Sequence, residues 1–195
     1  MTDGTRSARE AGQASPLYVF MVAGLLFLAL AFFAVGQAGA TRNGAQSAAD
    51  AAALAAARES RDQFDLEGLG LDALSDLFSG DLIGTVNGCG ISHSYAGQNG
   101  AEVRSCDWVA DGRWGFTVGV ESSNPVGDTI LPGTEDQHAV AKATAIVEPR
   151  CSFTPAEDGD SPSPGWLDCE GVDLDLDPAR LPDPSDLFTV RLAED

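Results

Sequence analysis

The chain has 195 residues, enough for one domain of ordinary size, or less once a membrane segment is subtracted. It holds 11 Lys plus Arg against 30 Asp plus Glu, a formal net charge of −19 at pH 7. Such an acidic excess argues against nucleic acid and against anionic lipid headgroups as partners, because both bind basic surfaces.

The first predicted element is a transmembrane helix. No charged side chain lies between Ala11 and Thr41, and Leu17–Val35 is apolar throughout except for Gly24. At about 1.5 Å per helical residue, this stretch matches a hydrocarbon core of about 30 Å. It is longer than the apolar region of an ordinary secretory signal, although Ala38-Gly39-Ala40 also fits a signal-peptidase site. We interpret the stretch as a retained membrane helix.

The charges that flank this helix predict its orientation. Arg6 and Arg9 precede it and Arg42 alone follows it, which favours a cytoplasmic N-terminus and an exported C-terminal part. Residues 43–195 hold eight basic and 28 acidic residues, so the exported part carries a formal charge of −20. The chain is thus predicted to be a single-pass membrane protein with an acidic extracytoplasmic head.

Alanine dominates the segment that follows, and Ala48–Ala57 is almost pure alanine. Because alanine is the best helix former, the membrane helix is predicted to continue through this segment. So narrow a surface suits close packing, either against other helices or beneath a sheet. The candidate packing positions are Ala45, Ala48, Ala49, Ala52 and Ala56.

Two short helices are predicted next. Leu71–Phe78 places its large apolar side chains on one helical face. Cys89–Gln98 is followed by Asn99-Gly100, a dipeptide suited to a left-handed helix C-cap.

Three or four antiparallel strands complete the predicted head. Asp111-Gly112 predicts a two-residue type I′ turn between strands at Val103–Ala110 and Arg113–Glu121. A third strand, His138–Glu148, carries alanines on one face, and that face is suited to lie against the alanine-rich helix. Leu187–Leu192 is predicted as a final strand, and the class is α+β.

These elements divide the chain into five predicted parts. They are a cytoplasmic tail or leader (1–16), the membrane helix (17–35), the alanine-rich extension (36–63), the α+β head (64–151) and an acidic, Pro/Gly-rich C-terminal region with a last strand (152–195).

Four cysteines, an even number, lie in the exported part, as is typical of disulfides in an oxidising compartment. Pairing Cys89 with Cys106 would close a loop of 18 residues, a closure worth about 3 kcal/mol in the chain-entropy model. Cys151 and Cys169 would likewise staple the acidic Pro/Gly loop between them. Four cysteines allow three pairings, and the sequence leaves the crossed ones open.

The residues give little sign of metal or catalytic chemistry. Asp173, Asp175 and Asp177 have the spacing that opens a calcium loop, but Pro178 and Pro184 stand where an EF-hand needs Gly and Glu. Alternating apolar residues favour an acidic edge strand or an extended loop there. The two histidines, His93 and His138, lie in no zinc-ligand spacing. We therefore expect a non-enzymatic protein without a cofactor.

Three blocks of sequence resemble a known family. Residues 12–57, GQASPLYVFMVAGLLFLALAFFAVGQAGATRNGAQSAADAAALAAA, are similar to the N-terminus of TadE/TadG-like pilus-assembly proteins of the tight-adherence (Tad, Flp-type) machinery. Residues 99–120, NGAEVRSCDWVADGRWGFTVGV, and residues 139–151, AVAKATAIVEPRC, resemble actinobacterial members. The resemblance covers roughly residues 10–151.

This resemblance implies a pilin-like fold and a minor pilin or pseudopilin, packed by its N-terminal helix into a surface pilus. Its partners would be other Tad pilus subunits and inner-membrane assembly proteins. A prepilin peptidase would cut after Gly12, which makes Gln13 the first mature residue. The family usually has glutamate fifth after the cut; here Leu17 stands there and Pro16 precedes it, a departure that fits the TadG-like branch better than the main pilin.

The alternative from a different class is a membrane-anchored extracytoplasmic binding or sensor module. Its ligand would be calcium or a cell-wall component, bound by the acidic C-terminal region.

Overall fold

The structure is a computed structural model that describes residues 14–67, 69–80, 86–125, 127, 133, 136–156, 163–177 and 180–193. Within these residues the fold is α+β, as predicted, with one long helix and two antiparallel sheets. The helices are α1 (Ala14–Asp62), α2 (Leu71–Ser79), α3 (Cys89–Gln98) and α4 (Pro184–Leu187). The strands are β1 (Ala101–Trp108), β2 (Gly115–Ser122), β3 (Val140–Pro149), β4 (Cys151–Pro155), β5 (Gly165–Cys169), β6 (Val172–Asp175) and β7 (Phe188–Leu192).

Helix α1 is one unbroken helix of 49 residues, about 74 Å long at 1.5 Å per residue. The predicted membrane helix and the alanine-rich extension are its two halves. Side chains before Ala45 are almost all exposed, whereas one side of the helix is buried from Ala45 onward.

The larger sheet has the strand order β1-β2-β3-β7 and covers the alanine-rich half of α1. On β2, Phe116, Val118 and Val120 are fully buried. On β3 the buried positions include the alanines at 141, 143 and 145, so small side chains meet on both sides of this contact. Because neither surface extends beyond Cβ here, the helix can approach the sheet closely, which gives the packing density typical of a protein core.

The hairpin that joins β1 to β2 differs from the predicted type I′ turn. A type I′ turn needs a positive φ at both central residues, but only Gly112, with φ 85°, has one. A register shift between Val103 and Ser105 leaves Arg104 without an opposite residue on β2. Ser105 therefore lies opposite Gly119, and Trp108 lies opposite Phe116. With that register, a two-residue turn can no longer be centred on Asp111-Gly112.

A type I′ turn does occur, at Glu170-Gly171. These residues have φ angles of 56° and 88° and join β5 to β6, with Cys169 opposite Val172. The turn belongs to the smaller sheet, ordered β4-β5-β6, which was not predicted as a sheet; an acidic edge strand or an extended loop was expected at the position of β6.

The C-terminal region is part of the same head. The predicted boundary between residues 151 and 152 falls inside β4, and β7 returns to pair with β3. The ring of Phe78 stacks against Phe188 of β7 and Phe153 of β4, with centroids 5.5 and 6.0 Å apart. One hydrophobic core therefore spans residues 45–190.

Two disulfides lie in the head. Cys89 at the start of α3 is bonded to Cys106 on β1, with 5.8 Å between their Cα atoms. Cys151 and Cys169 are bonded directly across the β4–β5 pair, with 4.1 Å between their Cα atoms. Each bond closes a short local loop, which restricts the unfolded chain and so stabilises the fold.

Candidate assembly interface

The apolar half of α1 is the largest exposed hydrophobic surface among the described residues. Fourteen large apolar side chains between Leu17 and Val35 are exposed, most by more than half of their area. A soluble monomer rarely exposes so extensive a continuous apolar surface. Within the part of the chain that the structure describes, α1 is also the one helix long and apolar enough to cross a membrane, with a mean hydropathy of 2.6 over its most apolar window.

Small residues form a second feature of this half. Gly36, Ala40 and Gly44 recur every four residues and are all exposed. A Cβ atom added at Gly36 or Gly44 would meet no atom within 4 Å outside the helix's own neighbouring backbone. Small residues at this spacing let two membrane helices bring their backbones close together. This surface of α1 is therefore open to another helix.

The alanines predicted as packing positions lie elsewhere, inside the head. Ala48, Ala49, Ala52 and Ala56 are fully buried, and Ala45 is 2% exposed. They belong to the core formed with β2, β3 and α3. Within the described chain, this alanine surface lies beneath the larger sheet and also packs against helix α3.

Helix α1 passes from its free half into the head between Gly44 and Ala45. The side-chain amide of Gln46 donates hydrogen bonds to the Lys142 carbonyl (3.2 Å) and to Asp50 Oδ1 (2.8 Å). Gln46 is thus the first residue of α1 to bond the sheet. Since α1 continues unbroken on both sides of this point, the apolar half is rigidly joined to the head.

The far end of the buried half is held by a buried hydrogen-bond chain. Trp114 Nε1 donates to Ser60 Oγ (2.9 Å), and Ser60 Oγ donates to the Val86 carbonyl (2.6 Å). Ser60 is fully buried and Trp114 is 4% exposed, so each polar group depends on its partner. A lone serine next to an alanine run carries no periodic signal, and sequence reasoning missed it.

The sequence also carries no sign that Gly88 is needed for close packing of α3 against α1. A Cβ atom at this position would lie 1.8 Å from the carbonyl oxygen of Ala56, so the start of α3 touches the backbone of α1. Glycine permits this approach because it has no side chain.

The predicted processing site, Gly12-Gln13, lies outside the described residues. Pro16 lies in the first turn of α1, where proline is tolerated because the first backbone N–H groups of a helix have no partner within it. The departure from the family pattern at Pro16 and Leu17 is therefore compatible with a helix.

The residues considered for metal binding or catalysis lie on or next to strands and helices of the head. Asp173 and Asp175 are exposed on β6, and Asp177 forms an isolated antiparallel bridge with Arg180. The described residues contain no group of three or more His, Cys, Asp or Glu side chains placed to hold a metal ion. His138 Nδ1 lies 2.6 Å from the carbonyl oxygen of Ser122, and His93 is exposed on α3.

Two ion pairs shift pKa values at the surface of the larger sheet. Hydrogen bonds from Arg113 lower the pKa of Asp111. Hydrogen bonds from Arg191 lower the pKa of Glu148, with Arg191 Nη2 2.6 Å from Glu148 Oε1. Residues 146 and 191 lie opposite each other, so the second pair crosses diagonally from β3 to β7.

Comparison with known families identifies the first part of the chain. Residues 12–59 match the Tad family model, described as Flp pilus-assembly TadE/G-like. This N-terminal segment is similar to the TadE/G-like family. Neither a curated protein nor a solved structure matches the chain.

The match confirms the TadE/TadG-like resemblance over residues 12–59 and supports a pilus-assembly role in association with other Tad pilus components. It includes both halves of α1, the exposed apolar half and nearly all of the alanine-rich half. The Tad model does not extend over the two sheets. The segment that matches the Tad model therefore coincides with the helix that links the apolar surface to the head.

Proposed function

We propose that this TadE/TadG-like chain is a structural, non-enzymatic subunit of a Tad-type pilus, similar to a minor pilin. Residues 17–35 anchor it in the cell membrane, with the N-terminal side in the cytoplasm and the disulfide-bonded head outside. Its partners are other Tad pilus subunits and inner-membrane assembly proteins, and a prepilin peptidase cuts between Gly12 and Gln13.

This proposal rests on one observation: one half of α1 is buried in the head and the other half is exposed. Its second half packs within the head of the same chain, where Ala52 and Ala56 are fully buried. Its first half is almost entirely exposed and combines large apolar side chains with the open positions Gly36, Ala40 and Gly44. Lipid solvates the large side chains, and a neighbouring helix can pack on the small ones.

The charges and the disulfides support the proposed orientation. Arg6 and Arg9 precede the apolar segment, and positive charge favours the cytoplasmic side. Both disulfides lie in the head, and disulfides persist in oxidising compartments outside the cytoplasm.

The test separates anchoring from assembly. Gly36→Leu/Gly44→Leu adds bulk to the open surface of α1 without adding charge or touching the head. We expect the variant to remain in the membrane fraction at normal levels but to lose co-purification with the other Tad components and to lose pili. Ala38→Leu is the matched control, because two residues advance the helix by more than half a turn and place Ala38 on the opposite side from Ala40.

Normal pili from Gly36→Leu/Gly44→Leu would contradict packing through this surface. Release of the chain from the membrane fraction by carbonate would contradict anchoring. Intact mass and N-terminal sequencing of the native protein test the processing step: a start at Gln13 supports cleavage, and a start at Met1 or Thr2 contradicts it.

A further inference from the structure

Strand β6 is an edge of the smaller sheet with an open side. It pairs with β5, and no other described strand pairs with it. All four of its residues are exposed, including the apolar Val172 (58%) and Leu174 (40%). An open edge of this kind can accept an added strand through main-chain hydrogen bonds.

The register shows which backbone groups face the open side. The N–H of Leu176 donates to the carbonyl of Gly165 on β5 (3.0 Å), and Leu174 lies opposite Leu167 two residues earlier. Hydrogen bonding in an antiparallel ladder alternates between neighbours, so Val172 and Leu174 bond toward β5. The N–H and C=O groups of Asp173 and Asp175 therefore point to the open side.

The same alternation sorts the side chains of β6. Val172 and Leu174 share a face with the buried Leu167 and continue the apolar face of the sheet to its edge. Asp173 and Asp175 lie on the other face, where Asp173 is directly opposite Asp168 of β5. Like charges directly opposite each other destabilise a strand pair, so this face would be stabilised by positive charge.

The chain itself supplies little positive charge here. None of Asp168, Asp173 and Asp175 forms an ion pair with any residue in the described ranges. A second copy is a poor occupant, because residues 43–195 carry eight basic against 28 acidic residues and two heads repel each other. Charge complementarity therefore selects a different, basic protein.

We propose that the open edge of β6 is a docking surface for an extended segment of a partner protein in which basic and apolar residues alternate. The segment adds as a further strand of the smaller sheet. Its basic side chains lie on the face of Asp173 and Asp175, and its apolar side chains cover Val172 and Leu174. The surface is separate from the helix surface used in the proposed pilus assembly.

The probe is a synthetic peptide of about ten residues, the upper end of common strand lengths, in which lysine and valine alternate and both ends are capped. It is added to the full chain in a neutral detergent at low salt, and binding is followed by fluorescence anisotropy. Hydrogen exchange then locates the peptide. We expect saturable binding, slower exchange at Asp173 and Asp175, and weaker binding as salt is raised.

Two substitutions separate charge from strand pairing. Asp173→Asn/Asp175→Asn keeps the outward N–H groups and is expected to weaken binding about threefold to tenfold. Asp175→Pro removes the charge and also one outward N–H donor, but it leaves the hydrogen bonds to β5 in place. We expect it to weaken binding about fivefold more than Asp175→Asn does. Asp72→Asn/Asp76→Asn removes two exposed charges from α2 and is expected to leave binding unchanged.

Three results would overturn the proposal. The first is equal binding of a peptide with the same lysines and valines in separate blocks, which indicates attraction without strand pairing. The second is equal loss of affinity in the α2 control. The third is unchanged exchange at Asp173 and Asp175, which is measured on the unaltered chain and so decides the matter even where the proline variant does not fold.

Discussion

Replacing Ala52 with leucine tests whether the alanine surface of α1 belongs to the head or to a neighbouring subunit. Ala52 is fully buried within the core that α1 forms with the larger sheet. The leucine adds three carbons where the helix and the sheet leave no space, and overpacking of this kind costs about 1–3 kcal/mol. For a folded unit near 150 residues, each kcal/mol lowers the melting temperature by about 2–4 °C. We expect Ala52→Leu to melt about 3–10 °C below the parent chain.

Ser47→Leu is the matched control for this experiment. Ser47 is on the same helix, five residues earlier, and is exposed, so its replacement should change stability by no more than about 0.5 kcal/mol. Thermal unfolding is followed by circular dichroism in detergent with both disulfides intact. If Ala52→Leu melts like the parent while pili are lost, the alanine surface contacts another subunit and its burial beneath the sheet is wrong.

Two further predictions concern polar contacts of the head. Ser60→Ala leaves Trp114 Nε1 and the Val86 carbonyl without their buried partner; we expect a loss of about 1–3 kcal/mol in urea unfolding, and an unchanged midpoint would show that water replaces the hydroxyl. Because Arg191 lowers the folded-state pKa of Glu148 from 4.5, the pair stabilises the fold above about pH 4.5, and that stability is lost as pH falls through the lowered pKa. Glu148→Gln should therefore lose less stability than the parent on acidification, by under about 1 kcal/mol because the pair is partly exposed; equal acid sensitivity of the two proteins would contradict this.

Elements with a local signal were predictable from the sequence. Helix α3 occupies the predicted residues 89–98, and Gly100 after it has a φ of 72°, as expected of a left-handed cap residue. The alanine alternation of β3 correctly indicated the face that meets α1. In these cases periodicity and cap chemistry are properties of neighbouring residues, and packing did not override them.

Elements that depend on distant partners were missed. The bulge at Arg104 shifts the β1–β2 register, and no local pattern near Asp111-Gly112 reports it. Strands β4 and β5 have five residues each and too few alternations to show a period of two. Their pairing is fixed by a disulfide and by Phe153 and Leu167 in the shared core, which are tertiary features.

The size of the side chains along α1 explains why one helix can serve two purposes. Large side chains gain most from transfer out of water, so Leu17–Val35 suits a lipid environment, where no close backbone contact is needed. Alanine buries little area by itself, so Ala45–Ala57 stabilises the protein only if another surface comes within touching distance, and the alanine face of β3 provides that surface. Once those alanines are covered, the exposed surface of the described part of α1 lies mainly on the half before Ala45. It follows that a substitution before Ala45 should affect assembly without unfolding the head, and a bulky one at a buried alanine should unfold the head first.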